Sequence, residues 1–202
     1  ICIAPVKVPE VKRPPQVRPY FWGELREGIV IYLSDRRIAI VTLAAAVSMV
    51  FFMPLASFYL LMVSDYFQAS AWQASIVQIL YPLGMMVGAM LASSFGMVGS
   101  KLSLVHLGLL VLGAASFLCG ILPPTAVGFW LFAVLCLALG ASVNLYNVPY
   151  IAYVQEKIPK LAQGRAFSFV GSFMSLTMPL GLLIAGPVAE RYGVSLWFAI
   201  AG

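Results

Sequence analysis

Between Arg37 and Gly202 the sequence consists of successive apolar stretches, each long enough to cross a bilayer, and their cores contain no Asp, Glu, Lys or Arg. A helix needs about 20 apolar residues to cross the bilayer core. Helices satisfy every backbone hydrogen bond internally, and no stretch shows the alternation of a membrane barrel. The sequence therefore predicts an all-α membrane protein with spans at about 37–63, 70–95, 102–122, 126–154 and 164–188, and the start of a sixth at 195–202.

The composition supports a membrane location. With 62% hydrophobic and 9% charged residues, a soluble domain would lack enough polar surface to cover itself. The chain begins with Ile1, and Gly202 lies about two helical turns into an apolar run, so we expect a piece of a longer protein. Residues 1–36 would contain the end of a preceding span and a linker, followed by a transmembrane half-bundle over 37–202.

The segment before the first full span is predicted to be a linker followed by a helix. Prolines with basic residues between them mark residues 5–19 as extended, because proline removes a helical hydrogen bond. From 20 to 33, apolar side chains such as Phe21, Trp22 and Leu25 recur at helical spacing. We expect this amphipathic helix to lie at the membrane interface, and the alternative is an ordinary soluble helix packed on the bundle.

Basic residues are distributed unevenly between the two sides of the membrane. Eleven of the twelve Lys and Arg residues lie at 5–37, at Lys101 and in the 155–165 loop, and Arg191 lies on the other side. The positive-inside rule therefore places those three segments, including residues 5–36, on the cytoplasmic side of a cell membrane. No compact basic face with interleaved aromatics exists outside the spans, so a nucleic-acid partner is not predicted.

An internal repeat is the next feature. Two Pro-Leu-Gly triplets, at 82–84 and 179–181, are 97 residues apart, and two further prolines are 95 residues apart. Spans 1–3 would then match spans 4–6 with inverted topology, as in many secondary transporters. Chance is the alternative, because Pro and Gly are common in membrane helices. Since each proline frees a carbonyl and permits a kink, we expect hinges at Pro54, Pro82, Pro149, Pro179, Gly84 and Gly181.

Several ordered strings extend over most of the chain. They are Asp-Tyr-Phe at 65–67, Gly-Ile-Leu-Pro at 120–123, Gln-Glu-Lys-Ile-Pro at 155–159, Gly-Arg-Ala-Phe-Ser at 164–168 and Glu-Arg-Tyr-Gly-Val at 190–194. These strings resemble the C-terminal half of major facilitator superfamily exporters, most closely the macrolide-efflux branch. The resemblance implies a six-helix half of a twelve-helix bundle. The loop at 96–101 departs from the family, because only Gly99 and Lys101 fit its Gly-rich loop motif.

The resemblance also implies that spans 1, 2, 4 and 5 face a central cavity. A large amphiphilic drug requires an apolar, aromatic cavity with a few polar groups. Asn144 and Asn147 share a face of the fourth span, where an unpaired amide is unfavourable, and interhelical hydrogen bonding is the alternative to cavity lining. Further cavity candidates, for which packing or lipid contact is the alternative, are Gln78, Tyr81, Phe52, Tyr59, Phe173 and Met174.

Charged side chains flank the cytoplasmic loops at Lys101, Glu156 and Arg165. Glu156 and Arg165 could form an ion pair that locks one state, and the alternative is two solvated charges. The position of His106 near the interface favours a solvated or packing role over a proton relay. No carboxylate lies deep in a span, so we expect the proton carrier in an absent N-terminal half.

Together with this resemblance, the sequence predicts half of a secondary active efflux transporter, exporting hydrophobic, macrolide-like drugs by alternating access driven by a proton gradient. Its partners would be the lipid bilayer, a small hydrophobic substrate, protons and an N-terminal six-helix half. No enzyme, metal or cofactor is predicted, because no nucleophile and base or HExxH-like spacing occurs and the cysteines resemble buried fillers. The alternatives are an exporter of another amphiphile, such as a lipid or siderophore, and a channel or non-transporting scaffold.

Overall fold

The computed structural model describes residues 36–96, 100–158 and 160–202. The predicted end of a preceding span, the linker over 5–19 and the amphipathic helix over 20–33 lie outside these residues. Within the described helices, the side chains of Arg165, Phe173 and Met174 also lie outside the described part.

The described residues form helices and contain no strand. Five segments are long and apolar enough to cross a membrane, which confirms the all-α fold predicted from the sequence. The first span is made of two α-helices and a π-helical turn at Met62–Tyr66. The α-helices are α1 (Arg36–Phe52), α2 (Leu55–Leu61), α3 (Ala71–Gly96), α4 (Lys101–Ile121), α5 (Ala126–Lys157), α6 (Lys160–Tyr192) and α7 (Val194–Ala201).

Local sequence explains where several helices begin. Ser70 and Gln73 form a capping box before α3, because the Ser70 amide donates to Gln73 Oε1 (2.8 Å) and the Gln73 amide donates to Ser70 Oγ (3.4 Å). Thr125 caps α5 by accepting a hydrogen bond from the Gly128 amide at 3.1 Å. Gly193, at φ +88°, separates α6 from α7 in a conformation that favours glycine. Side chains thus satisfy amides that the helix starts leave unpaired.

The prolines affect the spans differently. Pro54 lies in the break between α1 and α2, and the first span ends in the π-helical turn. Pro82 lies inside α3, Pro149 inside α5 and Pro179 inside α6, and each of these helices continues through its proline. Among the spans as far as the structure describes them, the regular α-helix is interrupted in the first.

Helix α5 lies at the centre of the described bundle. It packs along α3 on one side and α4 on another, whereas α6 packs against α1 and α7. In the most apolar window of each span, 44% of the residues of α5 are buried, against 17% for α3 and 19% for α6. The outer faces of α3 and α6 consequently present large apolar side chains, such as Met90 and Leu183, to the surroundings.

Candidate functional site

A recess of about 220 Å³ lies where the first span meets α3 and α5. The lining residues whose side chains carry a polar group are Tyr59, Tyr81 and Cys136, and none of the lining side chains carries a formal charge. The recess is lined by Phe52, Leu55, Ala56, Tyr59, Val77, Tyr81, Cys136, Leu139 and Phe198. A surface of this kind favours apolar groups that carry few hydrogen-bonding atoms.

Backbone geometry explains how two spans come together at the recess. A Cβ atom added at Gly140 of α5 would overlap the Tyr81 carbonyl oxygen, so α3 and α5 approach at backbone distance there. Gly84 has the reciprocal relation to Leu137. This contact holds the Tyr81 backbone against α5, with its side chain at the recess. The small residues of the second and fourth spans therefore position one wall.

The break at Pro54 shapes the opposite wall. Phe52 is the last residue of α1, and Leu55, Ala56 and Tyr59 belong to α2, so both sides of the break contribute to the lining. Tyr59 is half-buried, and no hydrogen bond of its hydroxyl is found within the described part of the chain. The same is true of Tyr81. Two tyrosine hydroxyls thus remain available to a bound molecule.

Aromatic side chains pack against the recess from the side of the 66–70 turn. Phe198, which lines the recess, contacts Phe132 with ring centroids 6.0 Å apart, and Phe132 contacts Phe67 at 5.4 Å. Tyr66 fixes the same turn, because its hydroxyl donates to the Leu122 carbonyl at 2.8 Å. The recess therefore rests on a packed aromatic cluster at that end of the bundle.

The two asparagines of α5 have different surroundings. The Asn144 amide donates to the Met85 carbonyl of α3 at 2.9 Å, so it takes part in an interhelical hydrogen bond. Asn147 is half-buried, and within the described residues its side chain makes no hydrogen bond. Asn147 follows Cys136 by eleven residues, close to three full turns, so both lie on the same face of α5. Asn147 is thus an available amide about 16 Å along α5 from the recess.

The remaining predicted residues are dispersed. Gln78 is exposed on α3 and does not line the recess. Phe173 and Met174 belong to α6, with side chains outside the described part. Glu156 forms an ion pair with Lys101, which joins the start of α4 to the end of α5, and the Arg165 side chain is not among those described. The His106 ring contacts its own helix, with Nδ1 2.8 Å from the Leu102 carbonyl oxygen.

Sequence reasoning did not single out Cys136, Val77, Leu139 or Phe198 as part of a site. Cys136 was interpreted as a buried filler, and it is 2% exposed, but it also lines the recess. The eleven-residue spacing from Asn147 was a usable signal for Cys136. Phe198 had no local signal, because α7 reaches the recess through the tertiary packing. Among the described residues, no group of three or more His, Cys, Asp or Glu side chains could hold a metal ion.

Comparison with known proteins adds an independent observation. Residues 29–202 match the family model of the Major Facilitator Superfamily. Macrolide efflux protein A of Streptococcus pyogenes is 32% identical over 203 residues, covering 100% of this chain and 50% of the relative. Macrolide efflux protein A of Enterococcus faecalis is 31% identical, covering 90% and 56%. The multidrug efflux pump Tap of Mycolicibacterium fortuitum is 28% identical, covering 57% and 27%.

The chain spans about half the length of the macrolide efflux proteins it matches. No solved structure gives a significant match.

Proposed function

Because the chain belongs to the Major Facilitator Superfamily, a family of transporters, we propose that it forms one half of an exporter of hydrophobic drugs, with macrolide-like compounds as cargo. The observation that carries this proposal is the uncharged recess between the first span, α3 and α5. Relatives named as macrolide efflux proteins and as a multidrug efflux pump support the same direction of transport and the same kind of cargo.

The chemistry of the recess suits part of a large amphiphile. Contact between an apolar part of the drug and the apolar and aromatic side chains removes both surfaces from water, which favours binding. At about 220 Å³, the recess is below the 300 Å³ or more that pockets for drug-sized ligands occupy. Cargo would therefore extend beyond it, toward Asn147 on one side and toward a second six-helix half on another. In this proposal the drug lies between two halves in the middle of the membrane.

Energy coupling would depend on groups outside the recess. The described acidic side chains Asp65, Glu156 and Glu190 lie near helix ends, and none lines the recess. A carboxylate that carries protons at membrane depth would therefore belong to the other half. Export driven by a proton gradient follows as part of the proposal, with Lys101, Glu156 and the 155–165 loop on the cytoplasmic side of the cell membrane.

Alternating access finds support in the unequal packing of the spans. The first span is interrupted at Pro54, so the bundle contains an irregular segment. The close glycine contact between α3 and α5 forms a tightly packed part beside it. The aromatic cluster of Phe67, Phe132 and Phe198 would close the recess on the external side. The half would then present its cargo surface to the cytoplasm in one state and to the outside in another.

The proposal is tested by drug accumulation in cells. The complete transporter that contains this half would be expressed in a drug-sensitive bacterium that lacks its own pumps, and labelled erythromycin would be followed with and without a protonophore. We expect lower accumulation, which the protonophore abolishes. An Asn147→Ala variant should lose most of this effect, while Leu110→Ala, which truncates a side chain that is 71% exposed on α4, should retain it.

Normal accumulation at confirmed membrane expression would reject macrolides as cargo. Labelled lipids and siderophores would then be compared in the same cells, because an uncharged, partly aromatic recess also accepts other amphiphiles. Export that persists after the protonophore would reject proton coupling without rejecting export.

A further inference from the structure

The recess has a chemical selectivity of its own, and this inference rests on the exporter proposed above. We infer that the recess binds one neutral, oxygen-containing ring of the cargo, held by hydrogen bonds from Tyr59 and Tyr81, and that it rejects a charged amine of the same size. The inference assigns a specificity role to these two hydroxyls. Other parts of the cargo would be bound elsewhere in the transporter.

The volume of the recess limits the size of the chemical group that it can bind. The recess has a volume of about 220 Å³, below the roughly 300 Å³ at which pockets for drug-sized ligands begin. That room suits a single six-membered ring with a short substituent and is too small for a whole drug-sized molecule. The aromatic and aliphatic walls, including Phe52, Leu139 and Phe198, contact the faces of such a ring.

The hydrogen-bonding groups of the recess determine how polar the bound ring should be. Tyr59 and Tyr81 come from different spans, and both residues line the recess together with Cys136. Each hydroxyl can donate one hydrogen bond, and neither is paired within the described residues. An ether or hydroxyl oxygen on the ring would accept these bonds. An apolar ring would leave the two donors without a partner, which is unfavourable for half-buried polar groups.

Because the lining of the recess is uncharged, the recess should disfavour a charged ring. No carboxylate lies among the lining side chains, so nothing in the recess would compensate a buried ammonium group. An attraction between a cation and the tyrosine rings is the competing effect, and it is smaller than the penalty for moving a charge from water into an apolar site. The neutral ring is therefore the preferred occupant.

Three ring probes of equal size test this selectivity. A tetrahydropyranyl, a cyclohexyl and a piperidinium group would be attached to the same dye through the same linker. Their dissociation constants would be measured by fluorescence anisotropy on the complete transporter in nanodiscs. We expect the tetrahydropyranyl probe to bind roughly fivefold to a hundredfold more tightly than the cyclohexyl probe, the range for two neutral hydrogen bonds. The piperidinium probe should bind at least about tenfold more weakly than the cyclohexyl probe.

Conservative variants assign the effect to the two hydroxyls. Tyr81→Phe and Tyr59→Phe keep the ring shape, so they should leave cyclohexyl binding unchanged and reduce the tetrahydropyranyl preference. The double variant should abolish that preference. Tyr192→Phe, at the exposed end of α6, is the matched control and should keep all three constants. A merely structural role of the tyrosines would change binding of all the probes together, whereas the ratio between two probes isolates the hydrogen bonds.

Each result separates this inference from the proposed function. Equal affinities for the two neutral rings, tightest binding of the piperidinium probe, or no binding of any probe would overturn the inference. A ratio that survives in the double variant would also overturn it. The predicted order in a transporter that fails to lower drug accumulation would keep the inference and reject the exporter. Drug export without the predicted order would do the reverse.

Discussion

Two equivalent sequence triplets have different surroundings in this molecule. Gly84 in α3 and Gly181 in α6 both end a Pro-Leu-Gly triplet, and both meet a backbone carbonyl of another span, at Leu137 and Val50 respectively. Around Gly84, two more glycines, Gly88 and Gly140, also approach the opposite backbone. Along α6, in contrast, a Cβ at Gly171 would meet nothing within 4 Å.

The difference shows that two identical sequence triplets need not produce equal interfaces. Three glycines bring α3 and α5 to backbone distance along their contact, which we call the glycine seam, whereas the contact of α6 with the first span includes one such glycine, beside Pro54. A seam at backbone distance cannot shift without breaking several contacts, while a single contact leaves room for sliding or rotation. We therefore expect α3 and α5 to move as one unit, and α6 to be the span that changes its neighbours in the proposed transport cycle.

The largest effect is expected when the seam is obstructed. Gly84→Ala adds a Cβ that would overlap the Leu137 carbonyl oxygen, and a shift of α3 away from α5 would also weaken the close contacts at Gly88 and Gly140. Overpacking of this kind should lower the free energy of unfolding by about 3 kcal/mol. Unfolding of the complete transporter in detergent, followed by circular dichroism, would measure the change. Wild-type stability in this variant would show that the two helices are not held together at Gly84.

A smaller effect is expected at the equivalent position of α6. In Gly181→Ala, the new Cβ would meet the Val50 carbonyl oxygen and the Pro54 ring, but α6 can shift because no second glycine fixes it. We expect a loss of about 1 to 2 kcal/mol in the same unfolding measurement. If Gly181→Ala proved as damaging as Gly84→Ala, the contrast between the two interfaces would be wrong.

The interhelical hydrogen bond should contribute less than the glycine seam. Asn144→Ala removes the bond from the Asn144 amide to the Met85 carbonyl of α3. Hydrogen bonds between membrane helices contribute about 0.6 kcal/mol on average, so a loss of this size is expected. The double variant with Gly84→Ala sharpens the comparison, because a loss well below the sum of the two single losses would show that both residues support one interface.

A slight gain in stability is expected where a side chain of α6 has open space around it. Gly171→Ala adds a methyl group that meets nothing within 4 Å, and alanine favours the helix more than glycine does. The unfolding free energy should therefore rise by about 0.5 to 1 kcal/mol. Destabilisation would mean that Gly171 faces a neighbour in the complete transporter, and that α6 is more tightly packed than its contacts with α1 and α7 indicate.

Much of the fold could be predicted from the sequence because the bilayer imposes a strong, local rule. Each span needs a run of apolar residues about 20 long, and such runs can be read without knowing their neighbours. The prolines of four spans led us to expect hinges, and the regular helix is interrupted at Pro54 but continues through the prolines of the other three spans. The family followed from ordered strings of the same chain, and residues 29–202 match its model.

The pairing of side chains could not be read in the same way, because it depends on how distant helices pack. Thr42 Oγ1 and the Tyr150 hydroxyl are 3.1 Å apart although 108 residues separate them in sequence. Glu156 pairs with Lys101, 55 residues away in sequence, whereas the sequence suggested Arg165 of its own loop, whose side chain lies outside the described part. Two asparagines of one helical face likewise acquire different surroundings, because Met85 lies within reach of Asn144.

The recess illustrates the same limit. Phe52, Tyr59 and Tyr81 were predicted as cavity residues from their spans and chemical types, and the bundle brings them to one place. Val77, Leu139 and Phe198 complete the lining, and nothing distinguishes them in sequence from other apolar residues of a membrane span. Uniform hydrophobicity carries little information about which face meets a neighbour, since lipid and helix interior are equally apolar.

The central claim is that this recess binds cargo, and a cryo-EM structure of the complete transporter with erythromycin in nanodiscs tests it most directly. The account predicts drug density within about 4 Å of Tyr59 and Tyr81, with a neutral ring inside the recess. Well-resolved drug density that contacts neither tyrosine, with the recess empty or filled by side chains, would contradict it.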